Sequence, residues 1–179
     1  QTILGPIWNF INPIIFTGVF TIIFSKVAKL STDEMPPFLF YLTSMILWNL
    51  FNSSLSNNID NFQNNYTIYK CAYFPRILNP IATIIERLFV FCIQLVVLAF
   101  SILYFEIRYD FEFSINFNSI LMILLIITHI CLLAFSIGIF LACLNYKYRD
   151  IKFISLYVMQ FIFYGTPIVY SINIIPENY

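Results

Sequence analysis

Residues 120–144 read ILMILLIITHICLLAFSIGIFLACL, a stretch with no charged side chain, one histidine and two hydroxyls. A helix rises ~1.5 Å per residue and the hydrocarbon core of a bilayer is ~30 Å thick, so about 20 apolar residues cross it. The stretch is long enough to span, and it lies inside a longer charge-free run, Phe113 to Tyr146. Four more such runs flank it: Gln1 to Ser25, Met35 to Ile59, Leu88 to Phe105 and Phe153 to Pro176. Spanning helices are therefore expected over 7–25, 37–56, 83–105, 120–144 and 153–174. The fold class is all-α integral membrane protein, with residues 1–179 forming a single transmembrane domain of five spans.

Composition agrees. Of the 179 residues 60% are hydrophobic and 10% charged, and the mean hydropathy is +0.84, far from the balance of a soluble domain. Nine acids cancel nine bases, so net charge calls for no nucleic-acid partner. With four glycines in all, the chain holds no GxxxxGK[ST] and no GxGxxG, which excludes nucleotide binding by those routes. Cys71, Cys92, Cys131 and Cys143 are widely separated and form no CxxC, so neither a metal nor a redox pair is expected. The chain begins at Gln1 without a Met and ends at Tyr179 just after an apolar run. A piece of a longer polypeptide is the expectation.

Lys and Arg are retained on the cytoplasmic side of a membrane protein. The connectors after the second and fourth spans carry Lys70, Arg76, Arg87, Lys147, Arg149 and Lys152, against Lys26, Lys29 and Arg108 on the other side. The richer side is read as cytoplasmic, which puts the N-terminus there as well. One connector, residues 57–80, has a pattern of its own: Phe62, Tyr66, Tyr69 and Tyr73 recur at helical spacing among Asn, Gln and Lys. An amphipathic helix follows, ended by Pro75 and Pro80. It suits either the lipid interface or a docking partner.

Intramembrane chemistry needs ionisable groups at depth. His129 is one, readable as a proton relay or, more plainly, as a neutral side chain bonded to a neighbouring helix. Glu86 and Arg87 are adjacent, about 100 degrees apart on a helix, and are not expected to pair face to face. No catalytic constellation emerges, and the chain reads as a non-enzyme. The aromatic excess, 20% of residues, includes two helical stripes: Phe16, Phe20 and Phe24, and then Phe153, Tyr157, Phe161 and Tyr164. Packing or lipid contact explains such stripes, and so does a pathway of flat faces suited to sugar rings. Gly165 and Pro167 should weaken or kink the outer end of the last span.

Four stretches taken together, QTILGPIWNFINPIIF (1–16), YKCAYFPR (69–76), NYKYRDIK (145–152) and GTPIVYSINIIPENY (165–179), resemble the permeases of type 2 ABC exporters. The resemblance is nearest to the branch exporting polysaccharide: O-antigen of lipopolysaccharide, teichoic acid and capsule. It implies six spans in the full permease, a homodimer in the cytoplasmic membrane, and separate ATPase subunits that use ATP and Mg, with no cofactor bound by this chain. It also implies that the amphipathic connector is a cytoplasmic coupling helix resting on the ATPase. The residues it singles out there are Tyr66, Tyr69, Lys70, Tyr73, Phe74, Pro75 and Arg76, with Tyr148, Arg149 and Asp150 of the second cytoplasmic turn as further contacts. Asp150 is a candidate cap for the last span. The lipid-linked glycan would pass Phe153, Tyr157, Phe161 and Tyr164, and the segment 166–176 would approach an outer gate as a re-entrant or interfacial turn. Export of drugs or lipids by the same architecture is the alternative. A membrane transferase acting on lipid-linked sugars and a non-catalytic scaffold are others.

Overall fold

A computed structural model describes residues 7–29, 35–71, 75–109, 116–168 and 170. All regular structure among them is helical. In chain order it comprises α1 (Trp8–Phe20), continued by a π-helical segment Thr21–Val27, then α2 (Pro37–Ile59), α3 (Asn61–Asn64), α4 (Tyr66–Cys71), α5 (Leu78–Tyr109), α6 (Phe117–Lys147) and α7 (Ile151–Gly165).

Three of these are long and apolar enough to cross a membrane: Trp8–Val27, Leu78–Tyr109 and Phe117–Lys147. The other two expected spans fall short for different reasons. α2 has the length, 23 residues, but its second half carries Asn49, Asn52, Ser53, Ser54, Ser56, Asn57 and Asn58. α7 is apolar but has only 15 residues, roughly 22 Å at the usual rise. It stops at Gly165, where the Thr166 N–H still reaches the Ile162 carbonyl (2.9 Å) and Pro167 follows. Gly165 and Pro167 thus end this helix, well before residue 174.

Proline placement explains other boundaries. Pro37 opens α2 at a position where the missing N–H is no loss. Pro80 does the same inside the first turn of α5, so of the two prolines expected to break the connector only Pro75 lies outside a helix. Pro13 sits inside α1 and cannot donate to the helix ladder. Farther along, Thr21–Val27 is wound with wider turns, and Ala28 N–H bonds the carbonyl of Ile23 five residues back (2.9 Å). Lys29 ends it in the left-handed region at φ 51, which is sterically costly for a residue with a Cβ. Hydroxyls within the helices fold back on the preceding turn, as Thr43 does onto Leu39, Ser101 onto Val97 and Ser136 onto Leu132. In hydrocarbon this satisfies a group that has no water.

The chain forms two compact units. The first, drawn from Gln1–Trp48, Val90–Ser114 and Ile162–Tyr179, buries Leu39, Tyr41, Leu42, Ile46, Phe91 and Val97. Its helices meet through rings: Phe163 lies 5.8 Å from Phe20, edge to face, and 5.3 Å from Trp48. Phe38 stacks on Phe105 at 6.2 Å, and Phe105 on Tyr109 at 5.4 Å. The second unit, from Asn49–Phe89 and Ile115–Phe161, buries Leu50, Leu55, Ile59, Ile84, Ala134, Ala142 and Met159. Small residues dominate the buried stripe of α6: Ala134, Gly138 and Ala142, four apart, and then Asn145. Gly138 is required there, because a Cβ on it would stand 2.7 Å from Cβ of Asn58. Helix backbones approach that closely only where one side lacks a side chain.

Candidate functional site

The connector expected as one amphipathic helix is divided in the second unit. α2 runs on to Ile59, and the chain then turns at Asp60 and again at Asn65 to give α3 and α4. Asparagine chemistry accounts for the second break. The Asn65 amide donates to the Asn61 main-chain oxygen at 3.0 Å and to its side-chain oxygen at 3.2 Å, competing with the helix ladder. Phe62 therefore lies on α3 and Tyr66 and Tyr69 on α4, with Phe62 and Tyr69 rings 6.2 Å apart.

The two tyrosines do different work. Tyr69 points inward and joins α4 to the start of α5: its hydroxyl accepts from the Asn79 amide at 2.9 Å and donates weakly toward the Arg76 carbonyl at 3.5 Å. Tyr66 is exposed, and the Lys70 ammonium lies 4.5 Å from its ring centroid. The Tyr66 side chain, by hydrogen bonding first and charge second, holds that ammonium above the ordinary lysine range. Pro75 and Arg76 are exposed in the turn before α5. Tyr73 and Phe74 lie outside the described residues.

Tyr148, Arg149 and Asp150 form the exposed turn between α6 and α7. Asp150 holds the residue position before α7 and its main-chain oxygen accepts the Ile154 N–H at 3.0 Å. Among the described residues its carboxylate bonds no donor. The stronger partner in this turn is Lys152, whose Nζ lies 2.6 Å from Asp60 Oδ2 and ties α7 to the end of α2.

Asn145, which sequence reasoning missed, joins three elements. Only 1% exposed, it donates from Nδ2 to the Ile59 carbonyl at 3.1 Å, while its own carbonyl accepts from Gln63 Nε2 at 2.9 Å. α6 is thereby bonded to the last turn of α2 and to α3. Asn61 adds a bond to Thr83 on α5 at 3.0 Å. Every helix meeting at this corner is cross-linked by a side chain. The signal available in sequence was spacing: Asn145 continues the stripe set by Ala134, Gly138 and Ala142.

A cavity of about 470 Å³ opens beside the corner. Phe62, Tyr66, Tyr69, Lys70 and Arg76 line it on the connector, and Cys143 and Tyr146 on α6. It brings together Tyr66, Tyr69, Lys70 and Arg76, four of the residues that the resemblance singled out, with Phe62 of the same stripe, and none of those on α7 or in the α6–α7 turn. The α7 residues form an outward stripe instead: Phe153, Tyr157, Phe161 and Tyr164 are all exposed, with Ser155 and Met159 buried on the opposite face.

Two readings of ionisable groups change. Glu86 and Arg87 do pair, Oε1 to guanidinium nitrogen at 2.6 Å. The long arginine curls back along the helix to its neighbour, a reach that residue angles alone do not capture. His129 is exposed on α6, with no hydrogen bond to another described residue, rather than bonded to an adjacent helix. Among the described residues no cluster of His, Cys, Asp and Glu has the makings of a metal site.

The ABC-2 type transporter family model matches residues 1–179. An O-antigen export system permease protein RfbA of Klebsiella pneumoniae is 30% identical over 181 residues, covering 100% of this chain and 66% of the relative. A second of that name and species is 29% identical with the same coverage, and one from Myxococcus xanthus is 22% identical over 98% of this chain. The chain thus spans about two thirds of the length of these relatives. It belongs to the ABC-2 type transporter family and is a multi-pass membrane protein.

Proposed function

We propose that this member of the ABC-2 family is the membrane-spanning permease subunit of an ATP-driven exporter carrying lipid-linked polysaccharide, of the O-antigen, teichoic acid or capsule type, out across the cytoplasmic membrane. The corner of α2, α3, α4 and the α6–α7 turn faces the cytoplasm, as does the N-terminus, and α2 and α7 complete a set of five spans. Two permease copies enclose the path. A separate ATPase subunit, using ATP and Mg, binds at the corner.

One observation carries the reading: α4, the element presented to the partner, is bonded through Tyr69 to α5, and α3 beside it is bonded to α5 and to α6. A load applied to α4 is thus shared at once by long helices. Charge-assisted contact of Lys152 with Asp60 extends the connection to α7. On α7 the exposed aromatic stripe offers flat faces to sugar rings, while the lipid portion of the cargo stays in the bilayer. Stacking is tolerant of sequence and length in the glycan, which suits a polymer that must keep moving.

The test is complementation. Full-length permease carrying Tyr69→Ala with Arg76→Ala, expressed with its ATPase in cells lacking their own permease, should insert normally but lose most surface polysaccharide. Full export by that variant, or export by the parent without any ATPase, would overturn the assignment.

A further inference from the structure

We propose that the cavity bounded by Lys70 and Arg76 receives a carboxylate side chain of the ATPase subunit, clamped between the two cations. The proposal rests on docking of the ATPase at this corner and names the chemistry of the contact.

Charge accounting leads to it. Two bases line the cavity and no acid does. Of the acids that flank the lining residues in chain order, Asp60 is held by Lys152 and Glu86 by Arg87, each at 2.6 Å, and Asp150 stands in the α6–α7 turn outside the lining. Among the described residues neither Lys70 nor Arg76 has a carboxylate partner, although acids and bases are equal in number along the chain. An Arg with no carboxylate partner among the described residues, lining a cavity together with aromatic rings, is an interface residue by type.

The walls select a protein side chain. Phe62, Tyr66 and Tyr146 supply apolar surface that would exclude water from an inserted carboxylate, and phenol hydroxyls that can donate to it. About 470 Å³ exceeds a carboxylate several times over and admits the stem and neighbours of an Asp or Glu on a partner loop. Ile77 and Leu78, next to Arg76 in the chain, and Tyr148 in the α6–α7 turn are exposed large apolar side chains. A charge pair desolvated among apolar side chains is how protein interfaces concentrate affinity. The cations also give the encounter a long-range attraction that salt screens.

Cys143 lines the cavity and is an exposed free thiol near the end of α6. Its labelling, read by mass spectrometry, allows one experiment to separate the contact from the docking. Full-length permease, purified in detergent with and without its ATPase, is titrated for association at two salt concentrations and labelled with maleimide. The expected result is ATPase association that weakens with salt, slower labelling of Cys143, and binding at least about tenfold weaker in the Lys70→Gln, Arg76→Gln variant, with a flatter salt dependence. Lys70→Arg with Arg76→Lys should retain binding. Unchanged gel-filtration behaviour and thermal midpoint in the Gln variant establish that it is folded. Association and protection of Cys143 that survive both Gln substitutions would overturn the clamp and leave the docking site intact. Association without any protection of Cys143, or none at all, would overturn the docking and the clamp with it. Protection of Cys143 by phosphatidylglycerol alone, lost in the Gln variant while ATPase affinity is unchanged, would reassign the cavity to a lipid phosphate.

Discussion

In the unit containing Phe163, helices meet through aromatic rings, and the side-chain hydrogen bonds between described residues join positions at most five apart. Around Asn145, in the other unit, helices meet through amides, one ion pair and a backbone contact made possible by Gly138. Ring contacts are broad and weakly directional, so helices joined by them can slide or tilt with little loss. Amide bonds to a buried carbonyl are directional, and leaving one unmade in a dry site is costly. The ring-packed unit is therefore suited to changing shape, and the bonded corner to keeping it. Under the proposed function, a permease driven from one end would need both properties.

The sharpest way to break this contrast is to wedge the corner open. Gly138→Val puts a branched side chain where even a Cβ has no room beside Asn58, and about 3 kcal/mol of stability should be lost, read as a lower midpoint of thermal unfolding in detergent. A variant as stable as the parent would mean that α2 and α6 do not need that approach. Asn145→Ala should cost about 2 kcal/mol, since it leaves the Ile59 carbonyl unpaired. Under the proposed function, export should fall more than ATPase association, because the residues proposed to dock stay while the bond between α6 and α2 is gone. Phe163→Ala removes ring contacts with Phe20 and Trp48 worth about 1 kcal/mol, and export should tolerate it better than Asn145→Ala; the reverse order would invert the roles given to the two units. The smallest effect belongs to Asp60→Asn. Its pair with Lys152 is partly exposed, so about 0.5 kcal/mol is at stake, and the difference from the parent should vanish in high salt.

The apolar runs made the helices legible, because hydrocarbon thickness sets a length that composition alone can reveal. α5 and α6 nonetheless run well past their predicted windows, to 32 and 31 residues. Charged residues such as Glu86, Arg87 and Glu106 interrupt a hydropathy window without ending the helix α5. What the sequence hid depended on partners distant in the chain. Asn145 looks like the polar end of an apolar run, and only the Ile59 carbonyl brought beside it makes it a joint. The stripe of Phe62, Tyr66, Tyr69 and Tyr73 was read as a continuous face, but periodicity of side chains carries no account of asparagines that prefer their own backbone. Even so, four of the residues that the resemblance singled out, Tyr66, Tyr69, Lys70 and Arg76, line one cavity. The α7 stripe was legible as a pattern, and it is exposed as a face.

The bonds of the corner also set an order of assembly. Gln63 to Asn145, Ile59 to Asn145 and Asp60 to Lys152 join positions 82, 86 and 92 residues apart. At roughly 5–20 residues per second of synthesis, the ribosome takes on the order of 5–20 seconds to deliver the second partner after the first. Throughout that interval Asp60 and the Ile59 carbonyl lack the partners they have in the folded chain, so the corner closes only after α6 and the start of α7 have been made.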